Sequence, residues 1–528
     1  MSTLQEEIQR RRTFAIISHP DAGKTTLTEK LLLYGGAVQS AGQVRARKNQ
    51  RSATSDWMKM EQERGISVTS SVLQFEYLGR AVNLLDTPGH ADFSEDTYRT
   101  LIAADSAVML LDNRKGVEER TRQLFEVCHR RRTPIFTFVN KCDRPGADPL
   151  QLLDDVERDL GLKCYPVTWP ITTADRFIGV YDRETRRIHL FEKGEDHGSS
   201  RVETDTLTLD DPDIRARLGD SAHDQLLNDV ELLDMAGEAF DHEAFLRGEV
   251  SPTFFGSALT NFGVEPFLAK FLELAPSPTA REASTGTITP TDPHFTGFVF
   301  KIQANMDPKH RDRIAFVRVC SGHFEAGMQV KHVRTGKPLR LSAPTQFLAR
   351  ERTHIEEAWP GDVIGIHDRG NLRIGDTLSA NGDLEFAGIP RFSPQHFARI
   401  LIRDPMKRKQ LDTGLQQLSE EGAAQVFYSE TYAGTTPIVG AVGQLQFDVL
   451  LHRLQHEYGV PARLEPMSYN HARWVTGPDE AIRTLASGHG RSLVFDAKGA
   501  PLVLFDSEWT LRTTAEREKS LTFHDVAP

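Results

Sequence analysis

The chain contains few cysteines and no long apolar run, and these two absences exclude several classes of protein. Four cysteines occur in 528 residues, far apart and without a C-x-x-C pair, which argues against a disulfide framework and against a zinc site. No run of about 18 apolar residues occurs, and the charged N-terminus lacks the apolar segment of a signal peptide. We therefore expect a cytoplasmic protein without a membrane partner.

An excess of positive charge is also absent. The formal net charge is −11, so the overall balance does not indicate a nucleic-acid-binding protein. Local basic patches at 45–51 and 403–409 are, taken singly, better explained as solvated surface. With 39% hydrophobic and 26% charged residues, a chain of this length predicts three or four domains, each with its own core.

Short apolar runs alternate with amphipathic stretches through the first 275 or so residues. The runs include "TFAIIS", "AVNLLD", "SAVMLLD", "TPIFTFVN" and "SPTFFGSA". Such alternation predicts an α/β domain with a doubly wound, mostly parallel sheet covered by helices on both faces. We place this domain at residues 1–276. An insertion at about 160–250 contains a predicted hairpin, "FIGVYDRETRRIHLFEKG".

The remainder of the chain predicts two smaller domains. Residues 277–293 are rich in Pro, Thr and Ser and are typical of a linker. Short strands with turn signals over 294–388 predict a β-barrel domain. Residues 389–528 mix strands with amphipathic stretches, which predicts an α+β domain; within it "QLDTGLQQLSEEGAAQVF" is interpreted as helical.

The stretch "SHPDAGKTT" is close to a phosphate-binding loop. Ser18 stands where the G-x-x-x-x-G-K-[ST] pattern has its first glycine, but the stretch follows a strand and opens a helix, as such a loop requires. Backbone N–H groups, the Lys24 charge and the Thr25 hydroxyl would then meet phosphates and Mg²⁺. An ordinary strand-to-helix turn is the alternative. The candidate residues are Ser18, His19, Pro20, Asp21, Ala22, Gly23, Lys24 and Thr25.

Three further segments strengthen the nucleotide interpretation. "DTPGH" ends a strand with a carboxylate placed for Mg²⁺ and a glycine whose N–H can meet a γ-phosphate. "NKCD" ends another strand, and its aspartate can accept from N1–H and the 2-amino group of guanine, which adenine lacks. "GSA" offers a backbone N–H to guanine O6, although a plain strand-end turn explains it equally well. The candidates are Asp86, Thr87, Pro88, Gly89, His90, Asn140, Lys141, Cys142, Asp143, Ser257 and Ala258.

The stretch "MEQERGISVTSS" is interpreted as a switch that completes Mg²⁺ coordination with a hydroxyl while the γ-phosphate is present. Ser67 is the first candidate and Thr69 the second. A polar loop without this role remains the alternative. The predicted metal ligands are therefore Thr25, Ser67 and Asp86, and the predicted ligands are GTP or GDP with Mg²⁺.

Several of these segments resemble a known family. "SHPDAGKTT", "QERGIS", "DTPGHADFSEDTYRT" and "NKCDRP" resemble the G domain of the translational GTPases. The later "ARILIRDPMKRKQLDTGLQQLSEEGAAQVF" and "IVGAVGQLQFDVLLHRLQHEYGV" resemble the bacterial class II release factors within that superfamily. The resemblance covers nearly the whole chain and implies a P-loop G domain, a β-barrel and an α/β third domain.

The resemblance also implies a function. It implies a ribosome-stimulated GTPase of translation termination that promotes dissociation and recycling of the stop-codon-reading class I release factors. His90 would be the catalytic residue that helps to position the attacking water. The implied partners are the ribosome, through its RNA and proteins, and the class I release factors, and we expect a monomer off the ribosome.

Two alternatives differ in class. One is an elongation-factor-like translocase, and the other is a nucleotide-dependent enzyme or switch that does not act on ribosomes. Elongation factor G continues for a long stretch beyond the similar region, whereas the given chain ends at Pro528, which favours the termination factor. The guanine-reading segment weighs against ATP-driven metabolic chemistry.

Overall fold

A computed structural model of the protein describes most of the chain. The described residues are 3–37, 70–173, 176–192, 201–202, 204–235, 239–304, 313–341, 344–348, 351–368, 370–387, 389, 391–429, 436–485 and 488–527. Among the helices in these ranges, none combines the length and the apolar character needed to cross a bilayer.

The first part of the chain forms an α/β domain. Its strands are β1 Arg11–Ser18, β2 Ser71–Tyr77, β3 Arg80–Asp86, β4 Ser106–Asp112, β5 Ile135–Asn140, β6 Lys163–Pro166, β7 Thr168–Thr173, β8 Arg176–Asp182, β9 Arg187–Phe191, β10 Thr204–Thr208 and β11 Val250–Phe255. Its helices are α1 Leu4–Arg10, α2 Lys24–Tyr34, α3 Ser94–Ala103, α4 Glu119–Arg130, α5 Pro149–Leu160, α6 Ile214–Leu218, α7 Asp220–Met235, α8 His242–Leu246 and α9 Val264–Leu274.

The central sheet of this domain has seven strands in the order β2-β3-β1-β4-β5-β11-β6. All neighbours are parallel except β2, which pairs antiparallel with β3 at one edge. Strands β1 and β4 are buried along their whole length, as expected for strands covered on both faces. Phe14 and Ile16 pack into one apolar cluster, whereas Ala15 and Ile17 pack into the cluster on the opposite face. The predicted doubly wound, mostly parallel sheet is confirmed.

A smaller antiparallel sheet, in the order β10-β9-β8-β7, lies within the segment interpreted as an insertion. The pairing of β8 with β9 is the predicted hairpin. After α9, the linker region contains a short hairpin of β12 Arg281–Ala283 and β13 Gly286–Ile288.

The second domain is built around an eight-stranded sheet in the order β18-β17-β23-β14-β15-β22-β19-β20, with β16 and β21 paired separately. Its apolar core includes Val299, Val317 and Ile364. The arrangement agrees with the predicted β-barrel. The strands are β14 Thr296–Ala304, β15 Arg313–Ser321, β16 Phe324–Glu325, β17 Gln329–His332, β18 Lys337–Arg340, β19 Thr345–Leu348, β20 Glu351–His354, β21 Glu357–Ala358, β22 Val363–His367 and β23 Thr377–Ser379.

The third domain is an antiparallel sheet with helices, as the α+β prediction states. The strand order is β27-β24-β26-β25-β29-β30-β28-β31. The strands are β24 His396–Ile402, β25 Gln425–Tyr428, β26 Ile438–Ala441, β27 Ala462–Pro466, β28 His471–Thr476, β29 Arg491–Asp496, β30 Pro501–Phe505 and β31 Thr522–His524. The helices are α10 Arg408–Glu420, α11 Gln444–Tyr458, α12 Asp479–Leu485 and α13 Glu508–Arg517.

One helix prediction in this domain is wrong at its C-terminal end. The pattern of "QLDTGLQQLSEEGAAQVF" predicts a helix throughout, but α10 ends at Glu420 and strand β25 begins at Gln425. Gly422 adopts φ +76°, a left-handed conformation that ends the helix and reverses the chain. The domain limits of 1–276, 294–388 and 389–528 stay predictions.

A buried charge cluster joins the first domain to the barrel. Asp105, whose side chain is fully buried, accepts hydrogen bonds from Arg318 of β15 and from Arg281 and Thr279 of the linker region. The Arg318 side chain is itself only 1% exposed and also donates to Thr13. A buried carboxylate with this many donors holds two domains in one fixed arrangement, because separating them would leave buried charges uncompensated.

We predict that Asp105→Asn lowers the free energy of unfolding by about 3–5 kcal/mol, because it leaves Arg318 buried without a counter-charge. Denaturant unfolding followed by tryptophan fluorescence measures the change. Asp205→Asn is a matched control, since Asp205 pairs with Arg217 at the surface. This variant should unfold at the same denaturant concentration as the wild type. An Asp105→Asn protein as stable as the wild type would contradict the assignment.

Candidate functional site

The turn between β1 and α2 has the backbone geometry of a phosphate-binding loop. Ser18 is the last residue of β1, and α2 begins at Lys24. Gly23 has φ +103°, and a Cβ there would overlap the side-chain amide of Asn140. Two separate constraints, backbone conformation and close packing, therefore require glycine at this position. Asp21 also adopts a left-handed conformation, with φ +66°.

The N-terminus of α2 is open to an anion. No described side chain caps it, and its first N–H groups and its dipole favour a phosphate. Ser18 Oγ and His19 Nδ1 are buried, and neither has a hydrogen-bond partner among the described residues. These polar atoms line the same turn, which therefore fits a polar, anionic ligand better than an apolar one.

Lys24 and Asp86 form a buried ion pair at the base of this turn. Lys24 Nζ lies 2.5 Å from Asp86 Oδ1, and the two side chains are 7% and 3% exposed. Asp86 ends β3, and the neighbouring Thr87 donates to the carbonyl of Ile16 at 2.6 Å, which ties β3 to β1. The carboxylate of Asp86 and the hydroxyl of Thr25 are hard oxygen donors of the kind that Mg²⁺ uses beside nucleotide phosphates.

Asn140 connects three of the predicted segments. Its Nδ2 donates to the carbonyl of Ala22 at 2.8 Å, and its Oδ1 accepts from the N–H of Ala258 at 2.8 Å. The phosphate-loop turn, the "NKCD" segment and the "GSA" segment are therefore held against one another by a single buried amide.

Lys141 is held in an unusual backbone conformation, with φ +68°. Its Nζ donates to the carbonyl of Asp21 at 2.6 Å and to Asp112 Oδ2 at 2.7 Å. Burial raises the pKa of Asp112, but the hydrogen bonds from Lys141 and from backbone N–H groups outweigh it and leave this pKa below its usual value. The carboxylate therefore stays charged and fixes the lysine stem across the turn. Sequence reasoning did not single out Asp112, although its place at the end of β4 was a usable signal.

Asp143 is oriented by Ser257. Ser257 Oγ donates to Asp143 Oδ1 at 2.6 Å and accepts from the N–H of Thr260 at 3.3 Å. The Asp143 side chain is 16% exposed, so one face of the carboxylate is available to a ligand. The sequence predicts a role for the backbone of the "GSA" segment only, and the role of the serine side chain emerges from the structure.

Cys142 has a packing role. Its N–H donates to the carbonyl of Gly256 at 3.1 Å, and burial raises the pKa of its thiol to about 12. All four cysteines are free and buried, and a thiol held in its neutral form does not act as a nucleophile at neutral pH.

His90 lies at the rim of the site. It follows Gly89, where an added Cβ would lie 3.7 Å from Cα of Pro20 in the phosphate-loop turn. Its side chain is 39% exposed, and its Nδ1 lies 3.0 Å from Asp92 Oδ1. The same nitrogen accepts a hydrogen bond from the backbone N–H of Asp92 at 3.3 Å, so Asp92 holds the imidazole at Nδ1. Ser67 and Thr69, the candidate switch residues, lie outside the described residues.

Comparison with known sequence families gives one match for each predicted domain. Residues 9–277 match the Elongation factor Tu GTP binding domain, residues 294–381 match Elongation factor G domain 2, and residues 386–515 match the Class II release factor RF3, C-terminal domain. Proteins called Peptide chain release factor 3 are similar over the whole chain. That of Symbiobacterium thermophilum is 54% identical over 100% of this chain and 99% of its own length.

The chain belongs to the peptide chain release factor 3 family. The relative from Microcystis aeruginosa is 55% identical, over 100% of this chain and 97% of its own. Membership in this family makes the protein a GTP-binding GTPase of translation termination that acts with the ribosome. The termination prediction is thereby confirmed over the translocase alternative.

A solved structure of a protein from Thermus thermophilus has a similar fold. It superposes with a TM-score of 0.70 at 24% identity and covers 93% of this chain and 72% of that one. At this identity the likeness concerns the fold alone. It agrees with the multidomain architecture predicted from the sequence.

We predict that Asp143→Asn weakens GTP binding and increases affinity for xanthosine triphosphate, because an amide can donate to the carbonyl that replaces the guanine 2-amino group. Fluorescent-nucleotide displacement with both triphosphates measures the change. An unchanged preference for GTP would show that Asp143 does not read the base.

Ser257→Ala provides a matched control for this experiment. It removes the hydroxyl that orients Asp143 but leaves the carboxylate in place. We expect it to weaken GTP binding by about tenfold, the cost of one hydrogen bond to a charged group. The preference for GTP over xanthosine triphosphate should persist in this variant.

Proposed function

We propose that GTP and Mg²⁺ bind where the "SHPDAGKT", "DTPGH", "NKCD" and "GSA" segments meet, and that hydrolysis there drives recycling of class I release factors. The observation that supports the nucleotide site is the pair of hydrogen bonds of the Asn140 side chain, one donated to Ala22 and one accepted from Ala258, which join the phosphate-loop turn to the "GSA" segment. A site assembled in this way has a phosphate end and a base end at a fixed separation.

Each end has its own chemistry. At the phosphate end, Lys24 would meet the β- and γ-phosphates, and Thr25 and Asp86 would hold Mg²⁺. The metal would supply charge neutralisation on the phosphates. At the base end, Asp143 accepts from guanine and the Lys141 stem covers the ring. Ser67 as a further metal ligand stays a prediction.

His90 serves the hydrolytic step. Water attacks the γ-phosphorus, the bond from phosphorus to the β–γ bridging oxygen breaks, and GDP and phosphate leave. His90 orients this water. Because the imidazole is partly exposed at the rim, the ribosome has to turn it toward the phosphate, so intrinsic hydrolysis is slow and ribosomes accelerate it.

Recycling follows from the nucleotide-dependent conformations. A ligand that favours one conformation shifts the population toward it, and on the ribosome such a shift can displace a bound class I factor. We further propose that the protein is monomeric off the ribosome and acts in the cytoplasm.

We predict that His90→Ala keeps GTP affinity near the wild-type value but reduces ribosome-stimulated hydrolysis by roughly 10²–10⁴-fold, the range for a positioned catalytic group. Phosphate release with and without ribosomes measures the effect. Near-normal turnover in this variant would assign His90 a structural role.

We also predict that the protein with GTP raises multiple-turnover peptide release from termination complexes when the class I factor is scarce. The single-turnover rate should stay unchanged, since the class I factor performs that step. The same preparation should not move tRNA in pre-translocation complexes. Efficient translocation, or no gain in turnover at any GTP concentration, would contradict the recycling function.

A further inference from the structure

The segment that carries His90 is docked onto the third domain. Phe93, three residues after His90, packs with Val449 and Leu445 of α11. One turn further, the ring of Tyr98 on α3 lies 4.8 Å from the ring of Phe392. The third domain therefore contacts both the segment that follows the predicted catalytic histidine and helix α3.

Asp92 makes a polar connection at the same place. Its Oδ1 lies 3.0 Å from His90 Nδ1, and its Oδ2 accepts from the backbone N–H of Leu445 at 2.7 Å. Leu445 is the second residue of α11, so Asp92 satisfies one of the N–H groups that a helix N-terminus leaves unpaired. One carboxylate thus contacts His90 with one oxygen and the third domain with the other.

The chemistry of this contact favours a role in positioning. At His90 Nδ1, Asp92 supplies both a carboxylate oxygen at 3.0 Å and its backbone N–H, which donates to Nδ1 at 3.3 Å. Two contacts from one residue restrict the imidazole, so Asp92 limits the directions that the ring can take when the ribosome turns it. Asp92 is in turn held by a helix of another domain, so its own position depends on how that domain is docked.

We propose that Asp92 is a positioning residue for His90 and that α11 holds it in place, so that GTP hydrolysis depends on docking of the third domain onto the G domain. This inference rests on the proposed role of His90. It assigns Asp92 and Gly443, which lie outside the nucleotide-binding segments, a function in hydrolysis.

The first test is Asp92→Asn. Asparagine keeps the side-chain volume and an oxygen for the Leu445 N–H, but it removes the negative charge beside His90 Nδ1 and with it the electrostatic attraction that holds the ring. We expect the rate of single-turnover GTP hydrolysis at saturating ribosomes to fall roughly 10- to 10³-fold. The dissociation constant for GTP and the ribosome concentration at half-saturation should not change. A wild-type rate would overturn the proposal.

A double-mutant cycle separates positioning from a purely structural effect. If Asp92 acts through His90, then Asp92→Asn should reduce the rate less than about twofold in the His90→Ala background. If the double variant instead loses rate by the product of the two single-variant losses, the proposal is overturned. If His90→Ala itself hydrolyses GTP normally, the proposed role of His90 fails. If His90→Ala is impaired and Asp92→Asn is not, only the present inference fails.

The second test approaches Asp92 from the other domain. Gly443 has an extended backbone that alanine can adopt, but a Cβ there would overlap the Asp92 carboxyl group. Gly443→Ala should therefore displace the carboxylate and lower the single-turnover rate at least about fivefold, of the order of losing one oriented hydrogen bond. Asp412→Asn is the control, because Asp412 pairs with Arg408 at the surface of the third domain and takes no part in the Phe93, Tyr98 and Asp92 contacts; it should hydrolyse GTP at the wild-type rate. Equal losses in both variants would overturn the specific role of Asp92.

Discussion

The parallel pairing of β1, β3, β4, β5 and β11 is the constraint on which the candidate site depends. Parallel strands bring their carboxyl ends to one edge of the sheet, where ligands of open α/β domains bind. Ser18, Asp86, Asp112 and Asn140 each end one of these strands. A change of direction in any one strand would carry its candidate residues to the opposite edge, and the candidate site would not form.

The sequence allowed the prediction of this edge because each of its motifs is local. A phosphate loop needs a glycine with positive φ at the helix start, and Gly23 indicates it in the sequence. Aspartate or asparagine at the end of an apolar run marks the carboxyl end of a buried strand. The parallel sheet, the barrel and the α+β domain could be predicted for the same reason, because each hydrophobic pattern that indicates them spans only a few neighbouring residues.

Contacts between distant parts of the chain carry no comparable local pattern. Asp105 and Arg318 are 213 positions apart, and each taken alone resembles an ordinary charged residue. The hydrogen bond from Ser257 to Asp143 spans 114 positions and depends on the parallel pairing of β5 with β11. The early end of α10 could not be predicted for a different reason. The sequence pattern typical of a helix continues past Gly422, although the helical backbone ends at Glu420.

Two of the contacts that the G domain makes with its neighbours differ in strength. At the barrel, breaking the fully buried Asp105 cluster costs about 3–5 kcal/mol. At the third domain, Asp92 gives one charged hydrogen bond, worth about 1.5–3 kcal/mol, beside the small Phe93 cluster. In the proposed site the γ-phosphate lies next to the segment after Asp86, which leads into the Asp92 contact. Of these two contacts, the Asp92 contact costs less to break, so we expect it to rearrange first when the nucleotide changes.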